Sequence, residues 1–324
     1  MDRRQFSAWV LASGLARESA AAAPWRLATG YRAESFHTVN LLAMARDVAG
    51  STQGELRIEV HPNNTLVKLK DMRAAVEAGT VEAGETIMSG LVGEMPIAGA
   101  DSVPFIVGSY RDARRMWRHQ RPLIERRFAR RGLQVLYAVP WPPQGLYASK
   151  PVTSTSDLNG SRMRTYNATT SRIAALLGAQ GVDVPMVEVG KALAEGRIDS
   201  MITSAVTGVE NRVWSHLRYY YEVNAWFPKN IVFANARAMQ ALAPRTRDAL
   251  LAACAAAETR GWAGSEAVAA SSVDELRKNG IKVERVSSEF SAQIKRLGER
   301  FSLEWIHEVG AEANDIFIPY FTQA

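Results

Sequence analysis

Residues 157–203 read DLNGSRMRTYNATTSRIAALLGAQGVDVPMVEVGKALAEGRIDSMIT. Short apolar runs alternate here with helical ones. Arg162–Thr165 predicts a strand, Thr169–Leu177 a helix stopped by Gly178, and Val182–Val184 a second strand. Val189–Ala194 then predicts a helix stopped by Gly196, and Ile198–Thr203 a third strand. Glycine suits both stops because the residue after a last helical turn often takes a left-handed conformation that a Cβ disfavours. So dense a β-α-β-α-β succession predicts an α/β fold with mostly parallel strands.

The same alternation runs upstream. Strands are predicted at Trp25–Thr29, Leu56–Val60, Ala83–Met88 and Leu133–Val139, the last bounded by Pro140, with helices at Phe36–Ala49 and Lys70–Ala78. Downstream, Pro244–Arg260 and Gly261–Lys278 read as two alanine-rich helices, and Gly280 precedes the strand IKVERV. A chain of 324 residues is too long for one small core, so two units are expected. No repeat or low-complexity linker separates them, which predicts that the chain itself crosses between lobes inside the fold. Pockets in such sheets form at the carboxyl ends of strands, often between domains.

The N-terminus reads as a targeting segment. Asp2-Arg3-Arg4-Gln5-Phe6 is a short basic start, Ser7–Ala16 an apolar run, and Glu18–Ala23 supplies small residues for cleavage. Residues 1–23 are therefore expected to be a signal peptide, by general export or by the twin-arginine route, with the mature chain starting near Pro24 or Trp25. No apolar run reaches about eighteen residues, so no transmembrane helix is expected. The lone cysteine, Cys254, stands in the helical stretch LLAACAAAETR and reads as a buried structural thiol, and no cysteine offers a lipid-anchor site after the signal. A periplasmic location is expected.

The net charge is +6, and Arg111–Arg131 alone holds nine arginines. Such a run can mark nucleic-acid binding. However, Ala113, Met116, Trp117, Leu123, Ile124 and Phe128 recur at helical spacing, so the arginines form the wet face of one or two amphipathic helices or dock on an anionic partner surface. Pro122 is expected to start the second of these helices. No nucleic acid is expected as a partner, and no stable membrane insertion.

Catalytic signatures are lacking. There is no glycine-rich phosphate or dinucleotide loop after a strand, no G-x-S-x-G and no H-E-x-x-H, and the histidines carry no metal-ligand spacing. No enzyme activity, cofactor or metal is expected.

Five segments resemble the TRAP (tripartite ATP-independent periplasmic) transporter solute-binding proteins, the DctP-like family. They are LRIEVHPNNTL (56–66), MRAAVEAGTVEAGE (72–85), DSVPFIVGSYRDARRMW (101–117), the diagnostic stretch 157–200, and ALAPRTRDALLAACAAAE (241–258). The resemblance implies a two-lobed periplasmic-binding-protein fold with mostly parallel sheets, flanking helices, a ligand cleft between the lobes and a long helix spanning both. It implies a first lobe of 24–141 with 230–270 and a second of 142–229 with 271–324. It also implies an extracytoplasmic receptor that delivers a small organic acid to small and large TRAP membrane subunits. The alternatives are a periplasmic ligand-sensing module for a signalling partner and, behind it, an enzyme.

The family's carboxylate-binding arginine falls on Arg164, whose planar fork matches a carboxylate with two parallel hydrogen bonds. Asn167, three residues on, is expected to touch the ligand or to cap the following helix. A second arginine common in the family falls on Gln144, and an asparagine on Thr203, with Ser204 beside it. This exchange removes a positive charge and keeps neutral hydrogen bonders, so a hydroxy- or keto-monocarboxylate fits better than a dicarboxylate, whose second charge would lack a partner. Trp141, Tyr147, Tyr166 and Trp226 are candidate pocket walls or core. On the first lobe the matching positions are Tyr31, Phe36, Lys68, Glu85 and Met88, with Lys68 either a second carboxylate contact or a solvated turn residue.

Overall fold

A computed structural model describes residues 24–323. The expected signal segment lies outside the described residues. In the first lobe, strands β1 (Trp25–Ala28), β2 (Ile58–His61), β3 (Ala83–Ile87) and β4 (Leu133–Pro140) are joined through helices α1 (Phe36–Ser51), α2 (Met72–Glu77) and α3 (Tyr110–Ala129). The chain then crosses at Trp141–Pro143 and enters a second sheet as β5 (Gln144–Ala148). There follow β6 (Arg162–Thr165), α4 (Ala168–Leu176), β7 (Gln180–Asp183), α5 (Val189–Ala194), β8 (Ser200–Ser204), α6 (Ala205–Glu210) and β9 (Tyr219–Tyr221). It returns as β10 (Lys229–Asn235), followed by α7 (Ala236–Ala241), α8 (Pro244–Lys278), β11 (Lys282–Glu284), α9 (Ser288–Val309) and α10 (Glu312–Thr322).

The first sheet has the order β2-β1-β3-β10-β4 and the second β11-β9-β5-β8-β6-β7. Each holds one strand that opposes its neighbours: β10 is antiparallel to β3 and β4, and β5 to β8 and β9. Both enter from the other lobe, so the crossings expected from the missing linker are the antiparallel strands. Their residues are all buried.

The long helix α8 completes the connection. Its 35 residues, roughly 50 Å, pack on α1 and β4 toward one end and on α6 and β11 toward the other. It is one helix and not the two expected. Gly261 does not break it, because a Cβ there would meet Val139 Cγ2 at 2.4 Å and Asn40 Nδ2 at 2.8 Å. The glycine lets the helix press onto β4 and α1, and tertiary packing overrides its weak helix propensity.

Pro122 likewise starts no second helix but sits inside α3. Both Pro122 and Arg118, whose carbonyl it deprives of a donor, lie on the exposed face, where water can take over. The apolar stripe of α3 faces the core as predicted, while Arg115, Arg121, Arg127 and Arg131 pair with Asp112, Glu258, Glu312 and Glu94. Cys254 is buried, and burial pushes its thiol up to about 12. The C-terminal helices bond to both lobes: Trp305 donates to Pro96 O and Tyr320 to Ile106 O, while Glu304 pairs with Arg172 of α4. No helix among the described residues is long and apolar enough to cross a membrane.

Candidate functional site

The carboxyl ends of β1, β3, β6, β7 and β8 converge on a cavity of about 760 Å³ between the two sheets. The first lobe contributes Tyr31, Thr86 and Ile87, with Lys68 and Lys70 toward the mouth; the crossing segments bring Trp141, Gln144 and Pro228. The second lobe contributes Arg164, Tyr166, Asn167, Asp183, Thr203 and Ser204. Sheets whose strands point at each other place loop residues of both lobes around one space.

Arg164 is the third of the four residues of β6 and is 4 % exposed. Its Nε donates to Val184 O at 2.9 Å, and the guanidinium lies 4.6 Å from the centre of the Tyr166 ring. Among the described residues no carboxylate stands within ion-pair distance of it. Burial pushes its pKa down to about 10, so it stays charged at neutral pH. Two strand positions earlier, Arg162 is exposed and pairs with Asp199 at 3.1 Å. The two arginines of R-M-R thus differ: one meets its carboxylate at the surface, the other reaches a cavity where no carboxylate is within ion-pair distance of it.

Asn167 lines the cavity and takes the capping role of the two expected, and it also bonds across to the first lobe. Its oxygen accepts from Thr170 N at 2.9 Å and caps α4, while its Nδ2 donates to Ser89 Oγ of the first lobe at 2.7 Å. Gln144 opens β5, opposite Ser204 in the ladder, and its Nε2 donates to Pro142 O at 2.7 Å. Ser204 caps α6 by accepting from Thr207 N. Burial pushes the Tyr166 hydroxyl up to about 12, so it remains a phenol.

Five residues singled out from the sequence lie outside this lining. Tyr147 is in the second-lobe core, its hydroxyl donating to the carbonyls of Ser204 and Ala205; it is three positions from Gln144, and strand alternation turns it to the other face. Trp226 is buried in the apolar core. Phe36, at the start of α1, packs edge-on behind Trp141. Met88 is buried in the first-lobe core. Glu85 lies behind the wall: its carboxyl accepts from Thr29 Oγ1 at 2.6 Å and from Asn230 Nδ2 at 3.0 Å, and is 3.3 Å from His37 Nδ1. On the same strand, Thr86 and Ile87 are the residues that line the cavity.

Sequence reasoning passed over Thr207, Asp183 and the turn 185–188, which also line the cavity. Thr207 had a signal, standing three residues after Ser204 on a helix start; the turn had none. It passed over Arg32 as well, which spans the cleft. From the loop after β1, Arg32 donates to Val187 O at 3.2 Å, Asn211 Oδ1 at 3.3 Å and Glu210 O at 3.4 Å. Beside it, burial pushes the Glu210 carboxyl up to about 7.

The comparisons agree with this geometry. A Bordetella pertussis extracytoplasmic solute receptor binding pyroglutamic acid is 36 % identical, with a TM-score of 0.91 over 93 % of this chain and 100 % of that one. A marine metagenome TRAP solute-binding protein specific for pyroglutamate is 34 % identical, with a TM-score of 0.91 over 93 % of this chain and 99 % of that one. A monocarboxylate 2-oxoacid-binding periplasmic protein of Nostoc is 28 % identical over 187 residues, which are 54 % of this chain and 49 % of that protein. The chain spans about half the length of the curated relatives it matches. The family model for DctP, the bacterial extracellular solute-binding proteins of family 7, matches residues 29–305. With two sheets facing across an arginine-bearing cleft and a family match over most of its length, the chain belongs to the DctP family of bacterial extracellular solute-binding proteins.

Proposed function

We propose that this protein is the extracytoplasmic receptor of a TRAP transporter and encloses a small monocarboxylate that carries neutral polar groups. The observation that carries this reading is Arg164: a buried guanidinium in a cavity, with no carboxylate partner among the described residues. An unpaired charge in a desolvated site is costly, and a ligand carboxylate removes that cost. Gln144, Thr203 and Ser204 add neutral hydrogen bonders, while Lys68 and Lys70 stand exposed at the mouth and leave a second ligand charge without a buried partner. Pyroglutamate, bound by relatives at 34–36 % identity, is the first candidate.

In this reading the lobes close by hinge motion about the two crossings, and the loaded receptor docks on the small and large TRAP membrane subunits. Residues 1–23 are removed on export to the periplasm, and no reaction is catalysed. Isothermal calorimetry against pyroglutamate, other monoacids and succinate tests the ligand class. Micromolar or tighter binding of a monoacid is expected, and a preference for succinate over every monoacid overturns the reading. Mass spectrometry of periplasmic protein tests the processing, with a mature chain expected to start near residue 24.

A further inference from the structure

Three polar side chains at the base of the cavity, Tyr31, Trp141 and Thr86, give their hydrogens to the protein and not to the cavity. The indole N–H of Trp141 lies 2.8 Å from one atom of the Asn230 amide. An indole N–H can only donate, so that atom is the amide oxygen. The Tyr31 hydroxyl is 3.0 Å from the same oxygen and must donate to it as well. The other end of the amide, Nδ2, then faces Glu85 Oε1 at 3.0 Å, which suits a carboxylate that also accepts from Thr29. Burial keeps the Tyr31 hydroxyl protonated well above its ordinary range, so its single hydrogen stays committed. Thr86 spends its hydrogen on Leu69 O at 3.4 Å. Asn64 of the first lobe gives its oxygen to Leu69 N at 2.9 Å and keeps its amide hydrogens, so the acceptor face is the part of the lining formed by Tyr31, Trp141 and Thr86.

We propose that this wall is an acceptor-only surface, so that the ligand must present a hydrogen-bond donor, N–H or O–H, to Tyr31 while its carboxylate meets Arg164. Glu85 and Asn230 are the positioning residues that impose this polarity; neither lines the cavity. Tyr31 can contact a ligand only through an oxygen lone pair, and Trp141 only through its ring. The cleft is therefore polarised, with donors from Arg164 and Gln144 on one side and acceptors on the other. It selects lactam, hydroxy or amino monoacids and disfavours 2-oxo acids, which bring oxygen lone pairs to a wall of oxygen lone pairs. This rests on the monocarboxylate-receptor reading above and narrows its ligand class.

A pair of near-isosteres isolates the group in question: pyroglutamate, with its ring N–H, and 5-oxotetrahydrofuran-2-carboxylate, with oxygen in that place. Calorimetry on the full mature chain should give about tenfold to a hundredfold tighter binding of the lactam. Tyr31→Phe should bring the two ligands to within about threefold, since it removes the acceptor and leaves Trp141 bonded to Asn230. Asn230→Leu removes the oxygen that accepts from Tyr31, frees the hydroxyl hydrogen to turn to the ligand and should abolish the discrimination. Asn230→Asp combined with Glu85→Gln keeps an acceptor toward Tyr31 and a donor–acceptor pair behind it, so it should keep the discrimination, a contrast that loss of packing alone would not show. Equal binding of lactam and lactone by the wild type overturns the proposal and leaves the receptor reading standing. A lactam preference that survives Tyr31→Phe also overturns it, because the acceptor then lies elsewhere. If neither ligand binds while a 2-oxo acid does, this proposal fails and the receptor reading stands; if no monoacid binds, both fail.

Discussion

Among the described residues two Lys or Arg side chains are buried, and they are opposites. Lys229 opens β10 and is 0 % exposed, with Nζ 3.1 Å from Asp101 Oδ2 of an equally buried carboxylate. The same oxygen accepts the Lys229 backbone N–H at 2.8 Å, and Ser102 Oγ donates to the other at 3.0 Å. Burial drives the ammonium down and the carboxyl up from their ordinary ranges, and each charge offsets much of that for the other. Arg164 is almost as deeply buried but meets a carbonyl, a ring face and a cavity. A buried charge neutralised inside the chain serves the fold. One left open toward a cavity awaits a charge from outside.

The largest test breaks the first half of this comparison. Lys229→Ala strands Asp101 in the core and should lower unfolding free energy by about 3–5 kcal/mol in urea titrations. Lys229→Met combined with Asp101→Asn should recover much of that loss, because no uncompensated charge remains. A loss below about 1 kcal/mol for Lys229→Ala would mean that water reaches Asp101 and the pair is not structural in the sense argued here.

Arg164→Ala should behave in the reverse way. Monocarboxylate affinity should fall by about 2–5 kcal/mol in calorimetry. The unliganded melting temperature should hold or rise, since an unpaired buried charge is removed. Arg164→Lys keeps the charge but loses the fork and should fall between the two. If Arg164→Ala unfolds while Lys229→Ala stays folded, the roles are exchanged and the comparison is wrong.

Glu210 sharpens the contrast from the acidic side. It lies at the seam between the lobes, where burial raises it from an ordinary 4.5 to about 7, against the lowering influence of Arg32 and Ser35 and with Glu34 raising it further. A carboxyl whose folded pKa is raised binds its proton more tightly folded than unfolded. Its contribution is therefore fully present below about 4.5 and is lost as pH climbs to about 7. Stability should fall across that window by at most about 1.4 kcal/mol per pH unit for the one proton. Glu210→Gln should flatten the slope, and an unchanged slope assigns the proton elsewhere.

The smallest effect belongs to Arg32, a cation half in water whose partners are neutral oxygens across the cleft. Arg32→Ala should weaken ligand affinity by about 1 kcal/mol, through faster dissociation, and leave the unliganded melt nearly unchanged. A loss as large as that of Arg164→Ala would make Arg32 part of the ligand site and not a strut between lobes.

Much of this architecture was legible in the residues alone. The alternation from Arg162 to Thr203 is local, because strand and helix periods and the glycine stops at Gly178 and Gly196 act within a few residues. Arg164 was legible for a different reason, as it stands in a motif whose spacing is held by the strand that carries it. Gln144, Thr203 and Asn167 came from the same family resemblance, and the structure gathers them with Tyr166 around one cavity.

What only the tertiary structure decided involves pairs far apart in the chain. Gly261 reads as a helix stop until β4 presses against it, and Pro122 reads as a helix start until its exposed face supplies the missing hydrogen bond from water. Glu85 and Tyr147 stand behind the lining because composition names a strand but neither its face toward the cavity nor how near its carboxyl end the cavity begins. Tyr147 is on the opposite face from Gln144, and Glu85 lies deeper along β3 than Thr86 and Ile87. Lys229 finds Asp101 across 128 positions, and Tyr31 finds Asn230 across 199. Periodicity is a property of neighbours in sequence and can be read there. Which buried charge is neutralised and which is left open depends on distances in space, and those exist only once the chain has folded.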